Sequence, residues 1–274
     1  MAMKENLELQ TEPSEGGRQV AILCSMWSRG PPPLVCSTCP CGRPSSSSHE
    51  SPALVDPPRG RVGHLRVKLV QCTARKLHAR KTDAILLKLD ITKAFDTLDW
   101  AFLLQVMEKL GFGRKWIIMV CGLLGSASTR VVVNGMAGGL IYNRCGLRQG
   151  NPAFPLLFDT IMDVLHLLFE RAAANGLLSE LASTIFLHRT SMYADDVSTF
   201  IRPTKCDLLT CASIVDDFGV ASGLCTNLAK CSIHPIHCSA EQVDLAHSIM
   251  GCEVASFPFK YLGLPLGFRK VTSA

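Results

Sequence analysis

Two adjacent acids, Asp195 and Asp196, sit between β-rich stretches at residues 184–190 and 197–201. Neighbouring carboxylates repel, and removing water makes the repulsion worse. The segment Met192-Tyr193-Ala194-Asp195-Asp196 therefore reads as a hairpin that carries both carboxylates at its tip. A third acid, Asp90, closes the apolar run Ala84-Ile-Leu-Leu-Lys-Leu-Asp90, which reads as a buried strand. Should the three converge, a bound divalent cation resolves their repulsion, and hard Mg²⁺ takes such oxygen ligands while keeping positions open for phosphate. Two such ions roughly 3.5–4 Å apart can clamp the attacking and leaving oxygens of an in-line phosphoryl displacement. The carboxylates of Asp90 and Asp195 are then expected within about 5–6 Å of each other. Taken singly, acids here are ordinary: Asp99, Asp216 and Asp217 fall in expected helices and are read as facing solvent.

The pattern around these acids is orderly from residue 83 onward. Asp96-Thr97 can cap a helix over 98–110 that Gly111 closes, with Phe102, Leu103, Val106 and Leu110 on one face. A second helix is expected over 114–124. Thr129-Arg-Val-Val-Val-Asn134-Gly135 is a strand followed by a turn, with a return strand over 139–144. Residues 146–152 form a loop, and further helices are expected over 153–174, 205–221 and 239–250. A strand over 231–236 and an extended apolar segment over 257–266 complete the chain. Strands and helices interleave while several neighbours look hairpin-joined. The fold expected is α+β, with an antiparallel sheet backed by helices.

Residues 1–60 differ, with Pro31-Pro32-Pro33, Ser45 to Ser48 and Pro57-Pro58, and read as a mostly disordered leader. Its Cys36-Ser-Thr-Cys39-Pro-Cys41 string lacks a well-placed fourth ligand, Cys24 being too remote, which disfavours zinc. Between residues 59 and 82 come eight basic residues and no acid, against a net charge of +5 for the whole chain. The basic character is thus one segment, readable as a polyanion-attracting patch or as a solvated linker. Thirteen irregularly spaced cysteines speak against a disulfide framework and for a reducing compartment. Early acids and the lack of an apolar run disfavour a signal or transit peptide. The uncharged stretch 116–129 is shorter than the roughly 20 residues of a spanning helix.

Three motifs occur in a fixed order: Leu87-Lys-Leu-Asp90-Ile-Thr-Lys-Ala-Phe95-Asp96, Gly146-Leu-Arg-Gln149-Gly150-Asn-Pro152 and Tyr193-Ala-Asp195-Asp196. Together they resemble the palm motifs of reverse transcriptases, and more narrowly those of non-LTR (LINE-type) retrotransposons of the plant type. Phe218 through Asn227 with Lys230, and Phe257-Pro-Phe-Lys-Tyr261-Leu-Gly263-Leu-Pro265-Leu, are similar to the segments that follow in that family. The resemblance covers about residues 70–268. It implies a polymerase palm that transfers deoxynucleotides to a primer 3′-hydroxyl on an RNA template, using two Mg²⁺ or Mn²⁺ ions. Asp90 and Asp195 would bind both metals, with Asp196 beside them and the Ile91 carbonyl contributing. Phe95 would be the gate against a ribose 2′-hydroxyl, though its residue type suits core packing equally. Gln149 and Gly150 match the loop that approaches template and nucleotide. Arg148 would meet phosphate, and Lys230 would give a proton to pyrophosphate or serve simply as a surface lysine. A nuclear location follows from the resemblance only.

The chain also departs from the family. Asn151 stands where the family has Asp, and Ala153-Phe154 replaces Leu-Ser before Pro155. These changes remove no metal ligand. The organisation expected is a leader over 1–60, a basic remnant of the fingers over 61–82, and over 83–274 a palm with the start of the thumb connection. Neither an endonuclease nor a ribonuclease H domain is expected. Two functions follow: a polymerase palm weakened by missing fingers and thumb, or an inactive retroelement fragment that at most binds nucleic acid.

Overall fold

The computed structural model describes residues 59–181 and 189–268, with side chains from Arg66 onward. The leader, its cysteine string and most of the 184–190 stretch lie outside the described residues. The protein divides into two units between Arg61 and Val62. All elements of the fold but the first residues of helix α1 (Arg59–Ala79) lie in the second unit.

Helix α1 is where the basic segment falls. Val67, Val70, Ala74 and Leu77 recur at helical spacing and are buried, while Lys68, Lys76, Arg80 and Lys81 are exposed. An apolar stripe threaded through a basic run thus orders a segment for which a solvated linker was one reading. Strand β1 (Ala84–Asp90) follows and becomes the centre of the sheet.

Two short connections come next. Helix α2 (Ala94–Thr97) precedes α3 (Trp100–Lys109), and the cap of α3 is Asp99, whose carboxylate accepts from the Phe102 N–H at 2.7 Å. The expected cap at Asp96-Thr97 is three residues too early because the chain turns at Leu98 (φ −55, ψ 125). Helix α4 (Arg114–Gly125) leads to β2 (Ser128–Thr129), β3 (Val132–Val133), β4 (Met136–Ala137) and β5 (Ile141–Tyr142). β3 and β4 pair around Asn134-Gly135, and β2 pairs with β5, making a ribbon. Its apolar residues Val132, Val133 and Met136 are exposed at 63%, 63% and 78%.

Helix α5 (Phe154–Ala174) has Pro155 in its first turn, where a missing N–H costs nothing. Strands β6 (Thr190–Tyr193) and β7 (Asp196–Ile201) form the hairpin, and α6 (Lys205–Ser222) follows. Strand β8 (Ser232–Ile236), helix α7 (Ala240–Met250) and strand β9 (Glu253–Val254) come next. The extended tail folds back on itself as β10 (Phe259–Tyr261) and β11 (Leu264–Leu266). The main sheet runs β6-β7-β1-β8-β9, antiparallel except for β8 with β9.

Both faces of β1 are covered, which its unbroken apolar run requires. Ile85, Leu87 and Leu89 are buried on one face. On the other, Ala84, Leu86, Phe200 and Ile236 pack with the stripe of α1 and with Tyr261 and Leu266. This second cluster fills the Ala84 end and leaves the Asp90 end of that face for polar groups. Asp207, 1% exposed, anchors the start of α6: it accepts from the Ser179 N–H at 3.0 Å, Ser179 Oγ at 2.8 Å and Thr204 Oγ1 at 3.0 Å.

His234 marks the boundary between the apolar and polar ends. Its ring is 1% exposed and stacks on Phe259 at 3.7 Å, and Nε2 shares a hydrogen bond with Ser232 Oγ at 3.0 Å. Nδ1 has no partner in hydrogen-bonding geometry among the described residues. Burial, and then the nearby Lys88 ammonium, push its pKa from 6.5 down to about 4. The unfolded chain therefore binds a proton that the folded one refuses. Stability is full above about pH 6.5 and is lost as pH falls toward about 4. Urea denaturation at pH 7 and pH 5 should show the wild type losing on the order of 1–2 kcal/mol more than His234→Phe. Equal losses in the two proteins would contradict this account.

Candidate active site

The site is built on the register of one antiparallel ladder. β1 pairs with β7 so that Asp90 stands directly opposite Asp196. β6 closes on β7 with Tyr193 opposite Asp196, leaving Ala194 and Asp195 as a two-residue turn. Ala194 takes φ 51, a left-handed conformation unusual for alanine. The sequence put both acids at the tip. Only Asp195 is there, and it is exposed, whereas Asp196 is the first residue of β7 and half-buried.

Directly opposed residues of an antiparallel pair have Cβ atoms about 4.5–5.5 Å apart, and like charges so placed destabilise the sheet. Two lysines supply the counter-charge. Lys88 Nζ lies 3.5 Å from Asp196 Oδ1, and Lys230 Nζ lies 3.7 Å from Asp90 Oδ2. Burial nevertheless holds the Asp196 carboxyl above its ordinary pKa; Lys88 opposes the rise, and the charges of Asp195 and Asp90 add to it. Half-buried carboxylates that repel one another are a donor set suited to a hard divalent cation. Among the described residues, no three His, Cys, Asp or Glu side chains gather as a group that could hold a metal ion. The carboxylates share one end of the sheet, two opposed across strands and one at the turn.

The loop after α6 fixes the strand end. The Asn227 N–H donates to the Asp90 carbonyl at 2.8 Å, and the Thr92 N–H donates to the Cys225 carbonyl at 2.9 Å. The Asp90 N–H donates to Cys231 Sγ at 3.4 Å. Ile91, 4% exposed, bridges to Thr226. Residues 225–231 are thus sutured along Asp90–Thr92, which brings Lys230 to the site.

Phe95 lies on α2, half-buried, with its ring stacked on Phe158 at 4.8 Å. The loop 146–150 is docked on the same helix. The Gly146 N–H donates to the Leu98 carbonyl at 2.8 Å, Trp100 Nε1 donates to the Gly146 carbonyl at 2.7 Å, and the Leu147 N–H donates to the Phe95 carbonyl. Gln149 and Gly150 are exposed beyond this anchor. Gly150 takes φ +93 with open space where a Cβ would stand, so backbone conformation rather than crowding calls for glycine. Arg148 donates to the Ser126 carbonyl at the end of α4. Sequence reasoning missed Lys88, Asn227 and Cys231. The signal for Lys88 was available: two residues before Asp90 on a strand, it must share its face.

The frame is that of a reverse transcriptase. The chain belongs to the family described as reverse transcriptase (RNA-dependent DNA polymerase), whose model matches residues 43–266. It is similar to the retrovirus-related Pol polyprotein from type-1 retrotransposable element R2 of Popillia japonica, at 36% identity over 77 residues, 28% of this chain and 13% of that protein. The corresponding Pol polyprotein from type-2 retrotransposable element R2DM of Drosophila melanogaster is 25% identical over 165 residues, 60% of this chain and 15% of that protein. The chain thus spans only a small part of the length of these relatives. Among solved structures, apo telomerase from Candida tropicalis, truncated from its C-terminal domain, aligns at TM-score 0.46 and 14% identity over 67% of this chain and 41% of that one.

Gly146 offers a direct check on the loop anchor. It has φ +80, and a Cβ there would fall 2.5 Å from the Asp96 carbonyl oxygen and 2.8 Å from that of Phe95. Gly146→Ala should lower stability by about 3 kcal/mol in urea denaturation, since backbone cannot yield as a side chain can. A loss below about 0.5 kcal/mol would show that the loop is not held this way.

Proposed function

We propose that the chain is the polymerase palm of a non-LTR retrotransposon reverse transcriptase, extending a primer 3′-hydroxyl along an RNA template with deoxynucleoside triphosphates. The observation that carries this reading is Asp90 standing opposite Asp196 at the sheet end that the Ala194-Asp195 turn closes. Asp90 and Asp195, with the Ile91 carbonyl contributing, would hold two Mg²⁺ ions, or Mn²⁺ in their place, and Asp196 would stand beside them. When bound there, the ions lower the pKa of the attacking hydroxyl and neutralise charge on the leaving pyrophosphate.

The chain's own residues do the rest. Lys230, with its side chain 67% exposed, can leave Asp90 and present a proton to pyrophosphate. Phe95, steadied by Phe158, would stand where a ribose 2′-hydroxyl would come and so favour deoxynucleotides. Gln149 and Gly150 would meet template and incoming nucleotide. Arg148 would have to release the Ser126 carbonyl to reach a phosphate. The basic outer face of α1 is consistent with a fingers remnant over 61–82, and residues 83–274 would be the palm with the start of the thumb connection. No helix among the described residues is long and apolar enough to cross a membrane. The finer likeness to plant-type elements would rest on the palm motifs at 87–96, 146–152 and 193–196 alone.

Primer extension on poly-rA/oligo-dT with Mg²⁺ or Mn²⁺ tests the reading. The wild type should incorporate dTTP, and Asp195→Asn should lower the rate at least about 100-fold, the scale of several kcal/mol of lost transition-state stabilisation. Incorporation that survives Asp195→Asn would overturn the site. No incorporation by either protein would favour the second reading, a retroelement-derived chain that at most binds nucleic acid.

A further inference from the structure

Lys88 interrupts a strand whose other apolar members, Ala84, Ile85, Leu86, Leu87 and Leu89, are 0–1% exposed. It sits on the central strand with ladder partners on both sides, Ser198 of β7 and Ser232 of β8. Its side chain, 25% exposed, reaches diagonally to Asp196, itself 29% exposed. The two counter-charges of the site are therefore unequal. Lys230 lies 67% exposed on a loop, 3.7 Å from Asp90, where water and salt screen the contact. Lys88 is held between two strands, less screened and with little room to leave. An arriving cation can displace the first ammonium readily and the second only at a large cost in buried charge.

The geometry points to Lys88 as the positioning residue of Asp196: it keeps that carboxylate bound to the protein, so that a divalent cation is received by Asp90 and Asp195. The inference rests on the metal-binding reading given above and assigns a role within it to a residue that lies inside the first motif but was given none. Lys88 touches neither substrate nor metal. It acts through Asp196, by occupying the oxygen that would otherwise turn toward the cation.

Binding of Mn²⁺ alone to the full chain, followed by loss of the free-ion EPR signal, separates the possibilities without relying on activity. Lys88→Met should tighten Mn²⁺ binding at least fivefold, because Asp196 becomes available as a ligand and a positive charge is gone. Lys88→Met with Asp196→Asn removes the ion pair without changing net charge and should bind Mn²⁺ within twofold of wild type. Lys88→Arg should also stay within twofold. Should Lys88→Met not fold, Lys88→Gln carries the same expectations. Unchanged binding in Lys88→Met, or a loss of tenfold or more in the double variant, would overturn the inference. Asp90→Asn distinguishes this failure from that of the underlying reading. If it lowers affinity tenfold or more while the Lys88 variants behave as wild type, only the role of Lys88 falls. If wild type binds no Mn²⁺, or Asp90→Asn binds as wild type does, the metal reading falls and takes the role of Lys88 with it.

Discussion

Two carboxylates facing each other across a single antiparallel ladder dominate this structure. Asp90 and Asp196 are opposed because β1 and β7 pair in that register and no other. A slip of one residue would send Asp90 and Lys88 to the opposite, apolar face and break the packing that now fills both sides of β1. Burial of Leu86 and Phe200 against α1 therefore also fixes where the acids meet. Folding accepts local repulsion at one end of the sheet because packing along the rest of it leaves no alternative.

The surroundings of the acids show how that repulsion is contained. Asp90 is tied through its backbone N–H and carbonyl to Cys231 and Asn227, which leaves its carboxylate to the exposed Lys230 ammonium. Gly146, Leu147 and Trp100 bind the 146–150 loop to α2 and the start of α3, so Phe95, Gln149 and Gly150 hang from one anchored unit. The polar end of the sheet face then grades into His234 and its stack on Phe259, where water is excluded. Stability and chemistry are divided along seven residues of a single strand.

Much of this was legible in the sequence, for identifiable reasons. Long apolar runs and helical stripes placed β1, α5 and α6 closely, since burial determines them. The Asn134-Gly135 turn was legible because its backbone conformation demands those residues. The cap of α3 was misplaced because Asp96, Thr97 and Asp99 are all competent caps, and only the turn at Leu98 selects among them. Helix α1 was obscured by charge, since its stripe is narrow and its remaining positions basic. Motif order named Asp90, Asp195, Asp196 and Lys230, which lie together at one end of the sheet. The different burial of Asp195 and Asp196 was not, because turn and strand meet between them. The suture from Asn227 and Cys231 runs through backbone atoms and a thiol over long sequence separation, and such contacts leave no periodic trace.

The ribbon of β2 to β5 has a bearing on handling the protein. Val132, Val133 and Met136 present an apolar surface to solvent on short strands with open edges. Surfaces of this kind associate edge to edge when chains collide. Colloidal behaviour, rather than unfolding, then sets the concentration at which purified protein stays in solution, and charged replacements on that ribbon are the natural first step toward a tractable sample.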